Sequence, residues 1–445
     1  MTHNNNSCNA LARLRTLQNL IKTRVTSNPR FRWYQRGMWV VSLSWAAALT
    51  IQSIPYYTAI GAGENAYKRG DYATSEIKFK EALKEAEKYP PEDLRRAKVY
   101  NNLAELYRTT YNFAVAERFY DKSVEIARKL SKSRQELPIS LNNLATLYRD
   151  EGRYAESEKT FKEALSIWDT RIKKDDTNRA AILNGTGKLL RDQGRYREAE
   201  DYYKQALAIK EKVLGKNDVD NAVVLSNLGG VCRDQGRYAQ SEVYYLQALA
   251  IDVAAFGRVH NYTATDLNNL AGLYRDENRL KESAELGEEA LKIREDRLGE
   301  NHPLVAKTLS GLAELSEKEN KLDQAKSLLE RALAIQIKVL GDNHPDVATT
   351  YNLLGNIALK QHRIHTACEL QNKCVAIRES RLNPNHPDLG VALVDRARAE
   401  ASFKQFEQSN LDLKRGTDIL TQVLGSEHPV TKRTLANIHQ STRKT

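Results

Sequence analysis

Counted from residue 138, large apolar side chains stand fourth and seventh, a small one eighth and an aromatic eleventh: Leu141, Leu144, Ala145 and Tyr148. At 100° per residue these places fall on one stripe, the signature of an amphipathic helix. A glycine follows (Gly70, Gly152, Gly194 and Gly236 in different copies), and glycine enters the left-handed conformation of a tight reversal cheaply. A second helix then carries Tyr196, Ala199, Tyr203 and Ala206, with small residues where two helices must approach closely. The same arrangement begins again near 57, 97, 138, 180, 222, 264, 306, 348 and 390. The pattern predicts an all-α solenoid of about nine helix-turn-helix repeats, each hiding its apolar stripe only against its neighbours.

"NNLATLYRDEGRYAESEKTF" at 142 and "LGDNHPDVA" at 340 carry a resemblance. With their 42-residue period they resemble the tetratricopeptide repeat, and in particular the longer repeats of kinesin light chains and their bacterial relatives. The resemblance covers about 57 to 430 and implies a right-handed superhelix with a concave, peptide-holding groove. Kinesin light chains also have a long heptad region, which nothing in residues 1 to 56 resembles, so no motor role is implied.

His260, His302, His344, His386 and His428 recur every 42 residues. The glycine of "LG" ends a helix, Asp342 or Asn343 is placed to cap the next one, and Pro345 suits a first helical turn. Successive loops are expected about 10 Å apart, too far for a shared metal with ligand distances near 2 Å. The histidines therefore read as loop punctuation, and one period before His260 the place holds Asp218.

Opposite the apolar stripe, the second, fifth, sixth, ninth, twelfth and thirteenth places of the first helices are expected to form the concave wall. The twelfth place holds Arg108, Arg149, Arg191, Arg233 and Arg275. The fifth holds Asn101, Asn142, Asn184 and Asn268, and the sixth adds Asn227. Amides bond an extended backbone and guanidinium forks take carboxylates two-handedly, so these residues are the candidate peptide-binding set, for a partner with acidic residues. A second reading stays open: Asp150, Asp192, Asp234 and Asp276 directly follow four of the arginines, and ion pairs between neighbouring repeats would leave nothing for a ligand.

The net charge of +11 changes little. Residues 1–36 carry seven Arg or Lys and no acid, residues 430–445 carry four more, and the body between is neutral. Nucleic acid, which needs a basic stripe along the fold, is a minority reading confined to the ends. Cys8, Cys232, Cys368 and Cys374 form no CxxC pair, and no P-loop, HExxH or nucleophile elbow occurs. No catalytic residue, metal or cofactor is called. In the last three repeats the turn glycine becomes Asn320, His362 and Lys404, which reads as drift toward capping duty, with residues 431–445 as a final helix and basic tail.

Residues 37–56 lack charge, and 12 of the 17 residues from 38 to 54 are apolar. As a helix, Trp39 to Tyr56 would span ~26 Å, and the positive charges all precede it. A single-pass membrane protein is expected, amino terminus cytoplasmic and repeats on the far side, with a basic, disordered segment over 1–36. A signal peptide cleaved near Ala59 or Gly61, an organelle transit peptide, and a helix packed on the first repeat are the alternatives. The functional expectation is a non-catalytic scaffold that binds a partner's peptide segment, against an enzyme or sensor in the groove or nucleic-acid binding through the ends.

Overall fold

The computed structural model describes residues 53–130, 135–172 and 176–442, and among these the chain is helical throughout, without strands. Nine helix pairs follow one another: α1 (53–68) with α2 (Tyr72–Ala86); α3 (Leu94–Thr109) with α4 (Phe113–Lys129); α5 (Glu136–Asp150) with α6 (Tyr154–Ile167); α7 (Thr177–Asp192) with α8 (Tyr196–Leu214); α9 (Val219–Asp234) with α10 (Tyr238–Phe256); α11 (Asn261–Asp276) with α12 (Leu280–Leu298); α13 (Pro303–Lys318) with α14 (Leu322–Leu340); α15 (Pro345–Lys360) with α16 (Ile364–Arg381); and α17 (Pro387–Ser402) with α18 (Phe406–Leu424). A last helix, α19 (Pro429–Thr442), packs on α17 and α18. The pairs coil as a right-handed superhelical solenoid.

Each pair is locked by small residues meeting rings. Tyr203 packs where a Cβ on Gly187 would stand 2.7 Å from its ring, and Tyr245 does the same at Gly229. The second helix approaches so closely that Ser157 Oγ donates to the Ala145 carbonyl at 2.7 Å, with equivalent bonds from Ser241 to Gly229 and from Ser283 to Ala271. The apolar stripes merge into clusters that pass from pair to pair, such as Leu141, Leu144, Phe161, Trp168 and Leu189. Successive first helices also pack side by side, α3 on α5, α5 on α7 and α9 on α11. That closer-spaced wall is the concave one.

The membrane expectation is corrected. Among the described residues no helix is long and apolar enough to cross a membrane. Residues 1–36 and 37–52 lie outside the described residues. From Ser53 the chain is already in α1, which carries charged Glu64 toward the second repeat, where Asn102 donates to it and Lys98 stands 3.4 Å away. A helix that turns ionised groups to its protein neighbours is built for packing within the array rather than for lipid.

Candidate protein-binding groove

The twelfth-place arginines lie along the inner wall and are engaged by the acid of the following repeat. Arg108 pairs with Asp150, Arg191 Nε donates to Asp234 at 2.6 Å, and Arg233 Nε donates to Asp276 at 2.7 Å. Arg149 holds Asp150 at 2.6 Å and approaches Asp192 at 3.5 Å, while Arg275 reaches Glu314 at 2.7 Å. The ninth place of the following repeat seats the guanidinium. A Cβ on Gly230 would stand 2.7 Å from Arg191 Nη1, and one on Gly272 2.8 Å from Arg233 Nη1. Glycine there is the sequence signal that an arginine from the preceding repeat lies across it.

The asparagines divide. Asn227 donates to Asn184 at 2.7 Å across a repeat boundary, and Asn142 donates to its neighbour Asn143. The buried Oδ1 atoms of Asn101 and Asn142 find no donor among the described residues. Arg233, Asn268 and Arg275 come together around a hollow of about 300 Å³ between the sixth and seventh repeats, with Asn269, Lys307 and Ser310 also on its lining. On its lining Gly287 stands where earlier repeats place Tyr203 and Tyr245, with Leu312 packed against it, and Gly311 adds no side chain. Arg149 and Arg191 line a different space. Asn101, Arg108, Asn142, Asn184 and Asn227 line neither.

That second space, about 790 Å³, lies between two coils of the superhelix. One side is the turn edge of the third to fifth repeats, with Arg149, Asp150 and Asp192; the other is His386 and His428. Burial pushes the Asp192 carboxyl up against the pull of Arg149 and Arg191, and lowers Lys188 beside them.

The histidines are more than punctuation. Each is itself the helix cap, in place of the Asp342 or Asn343 expected from the sequence: His344 Nδ1 accepts from the Asp346 amide at 3.1 Å, and His302, His386 and His428 accept from Leu304, Asp388 and Val430. Asp218 accepts from Asp220 in the same way, so the apparent break in the series conserves the bond and changes only the acceptor. Their far edges meet the preceding coil. His344 Nε2 lies 3.3 Å from the Thr109 carbonyl and its ring stands edge-on to Tyr111, while His302, His386 and His428 press on Gly70, Gly152 and Gly194. Burial lowers the pKa of all four rings.

Two further polar features escaped sequence reading because each depends on burial. Asp252 and Asp266 meet in the interior at the junction of the fifth and sixth repeats, and Ser226 donates to Asp266 at 2.9 Å. Burial, and then the neighbouring Asp252 charge, push Asp266 up to about 8. Arg294, one period after Asp252, is buried without a carboxylate bond and donates instead to the Leu304 carbonyl at 3.0 Å and to Thr265 at 3.1 Å. Burial brings it down to about 10. Cys232 and Cys374 are buried thiols held above their usual pKa by burial. Among the described residues no three His, Cys, Asp or Glu converge as metal ligands would.

A family profile described as tetratricopeptide repeat matches residues 57–129, 136–212, 220–296, 267–338, 304–367 and 346–422. With more than half of its length matched, the chain belongs to the tetratricopeptide repeat family, whose arrays typically serve protein–protein interaction. No curated protein matches it significantly. Among solved structures it is similar to a Rap protein complexed with competence and sporulation factor (14% identity, 83% of this chain and 98% of that one, TM-score 0.54). It is also similar to aspartyl phosphate phosphatase F from Bacillus subtilis (15% identity, 74% and 81%, TM-score 0.50). A putative kinesin light chain from Podosopora anserina with nearly identical repeats shares 22% identity over 46% of this chain and 97% of that one, with TM-score 0.39.

Proposed function

We propose that the array is a non-catalytic scaffold that holds an extended segment of a partner protein against its concave wall, with the hollow between the sixth and seventh repeats as an anchor point. One observation carries this reading. Where the preceding repeats carry tyrosine, Gly287 and Gly311 line a recess that combines amides (Asn268, Asn269), the exposed Lys307 amine, Arg233, and Arg275 paired with Glu314. Apolar floor, amide rim and nearby cations suit a peptide with a carboxylate beside an uncharged side chain. Of the two recess arginines, Arg233 uses Nε for Asp276 and keeps Nη1 over Gly272, whereas Arg275 is already paired through Nη1 with Glu314, which also lines the recess.

Gly311→Leu tests the assignment. A Cβ there meets only Asn268 Oδ1, at 3.7 Å, so the side chain grows into the recess while the helix is retained. In a display selection with acidic peptides, the native chain is expected to enrich a peptide set, and both Gly311→Leu and Asn268→Ala to lose at least ten-fold in enrichment at near-native melting temperature. Enrichment unchanged by both substitutions rejects the anchor point.

A further inference from the structure

Contacts between the coils follow one offset. His302 meets Gly70, His344 meets Thr109 and Tyr111, His386 meets Gly152, and His428 meets Gly194, so a cap loop always rests on the turn some 232 to 235 residues before it. Between these rungs the seam is hollow. The 790 Å³ space lies beside one pair of rungs, and a second of about 420 Å³ separates Phe113 and Arg153 from Ser380 and Asn383. An apolar bridge across it is Leu382, tucked into the cluster that holds Phe113. Sequential repeats, by contrast, share whole faces of leucine, alanine and aromatic rings.

We propose that this seam is a reversible clasp: the four histidines close the second coil onto the first, and their release opens the groove from the side. The division of labour among the caps supports it. The first-coil caps that bond a helix amide at the head of a first helix are the short acids Asp93, Asp176 and Asp218, while Gln135 makes no such bond. Second-coil caps are histidines; His260, the first of them, caps Tyr262 and stacks on the nearby Phe256, while the other four accept a helix amide at one ring edge and reach the first coil with the other. Capping alone needs no such reach. A closed seam admits a partner only by threading from the open ends of the coil, whereas an open one admits an internal segment; this consequence, unlike the clasp itself, rests on the groove reading above.

The experiment is a distance measurement that needs no ligand. Spin labels at Ala155→Cys in the first coil and Asn385→Cys in the second, both exposed places, are read in the full chain with Cys8 and Cys368 changed to Ser. The comparison is His302→Asn, His344→Asn, His386→Asn and His428→Asn combined, because asparagine keeps the cap but is too short to span the seam. We expect a single short distance in the native chain at low temperature and a longer, broader population in most molecules of the variant, with helix content unchanged. In the native chain the long population should grow on warming and recede on cooling, below the unfolding transition. The same narrow distance in the variant, or one that stays fixed on warming the native chain, overturns the clasp.

Discussion

The two coils use one repeat and differ at their edges. In the first, the left-handed turn residues are Gly70, Gly152, Gly194 and Gly236, with Tyr111 as the exception. In the second they are Asn278, Asn320, His362 and Lys404, which adopt the same conformation at φ values of 59° to 66°. The difference is not drift. A Cβ on Gly194 would stand 2.6 Å from His428 and one on Gly152 2.9 Å from His386, whereas Gly236, over which no coil passes, has nothing within 4 Å. Gly70, Gly152 and Gly194 therefore satisfy two demands, backbone conformation and space for a ring, whereas Gly236 meets only the first. In the second coil only the first demand remains, and asparagine or even lysine meets it at a modest cost.

Substitutions can break that contrast. Gly152→Ala with Gly194→Ala should cost about 5 kcal/mol, of which left-handed strain is about 1–2 kcal/mol per residue and the rest a displaced seam, whereas Gly236→Ala should cost only the strain. Urea unfolding curves compared between the two variants check this; equal loss per site would mean that the coils do not press on each other.

The junction between the coils, at Asp252 and Asp266, offers the next largest effect. A folded-state pKa of about 8 lies above the unfolded carboxylate value, so the folded chain holds its proton more tightly. The stability this gives is complete below about pH 4 and is lost as pH rises through 8. Asp266→Asn, which cannot ionise, should raise stability by little at pH 4 and by several-fold more, at least about 2 kcal/mol, at pH 8.5. Thermal melts of both proteins at pH 4 and pH 8.5 check the sign.

The smallest effect sharpens the contrast from the other side. His362→Gly and Lys404→Gly relieve a left-handed side chain that nothing compensates, and each should stabilise by about 1 kcal/mol, read as a rise in urea midpoint. The same change at Tyr111 should destabilise, because its ring packs on His344 and Phe113.

How much of this was legible follows from the range of each interaction. The stripe of Leu141, Leu144 and Tyr148 reports contacts within one repeat and with its neighbours, so its period displays the fold directly. The pairing of Arg191 with Asp234 spans 43 residues and is visible as two parallel series, though sequence leaves open whether the acids or a ligand take the arginines. The role of His344 was hidden twice. Histidine is an unusual cap, and its second contact, at Thr109, is 235 residues away. That distance depends on how many repeats complete a revolution, a property of accumulated small rotations that no local pattern encodes. The recess at Gly287 and Gly311 lay between these extremes: a missing tyrosine is visible in an alignment of the repeats, but the space beside Gly287 is not.

Because caps and turns share one period, the mating edges behave like a rack meshed with its own pinion. Duplicating a whole repeat would slide each ring by one tooth onto another turn, so arrays of this design can lengthen without losing their fit. An insertion of a few residues in a single loop would leave that tooth between notches.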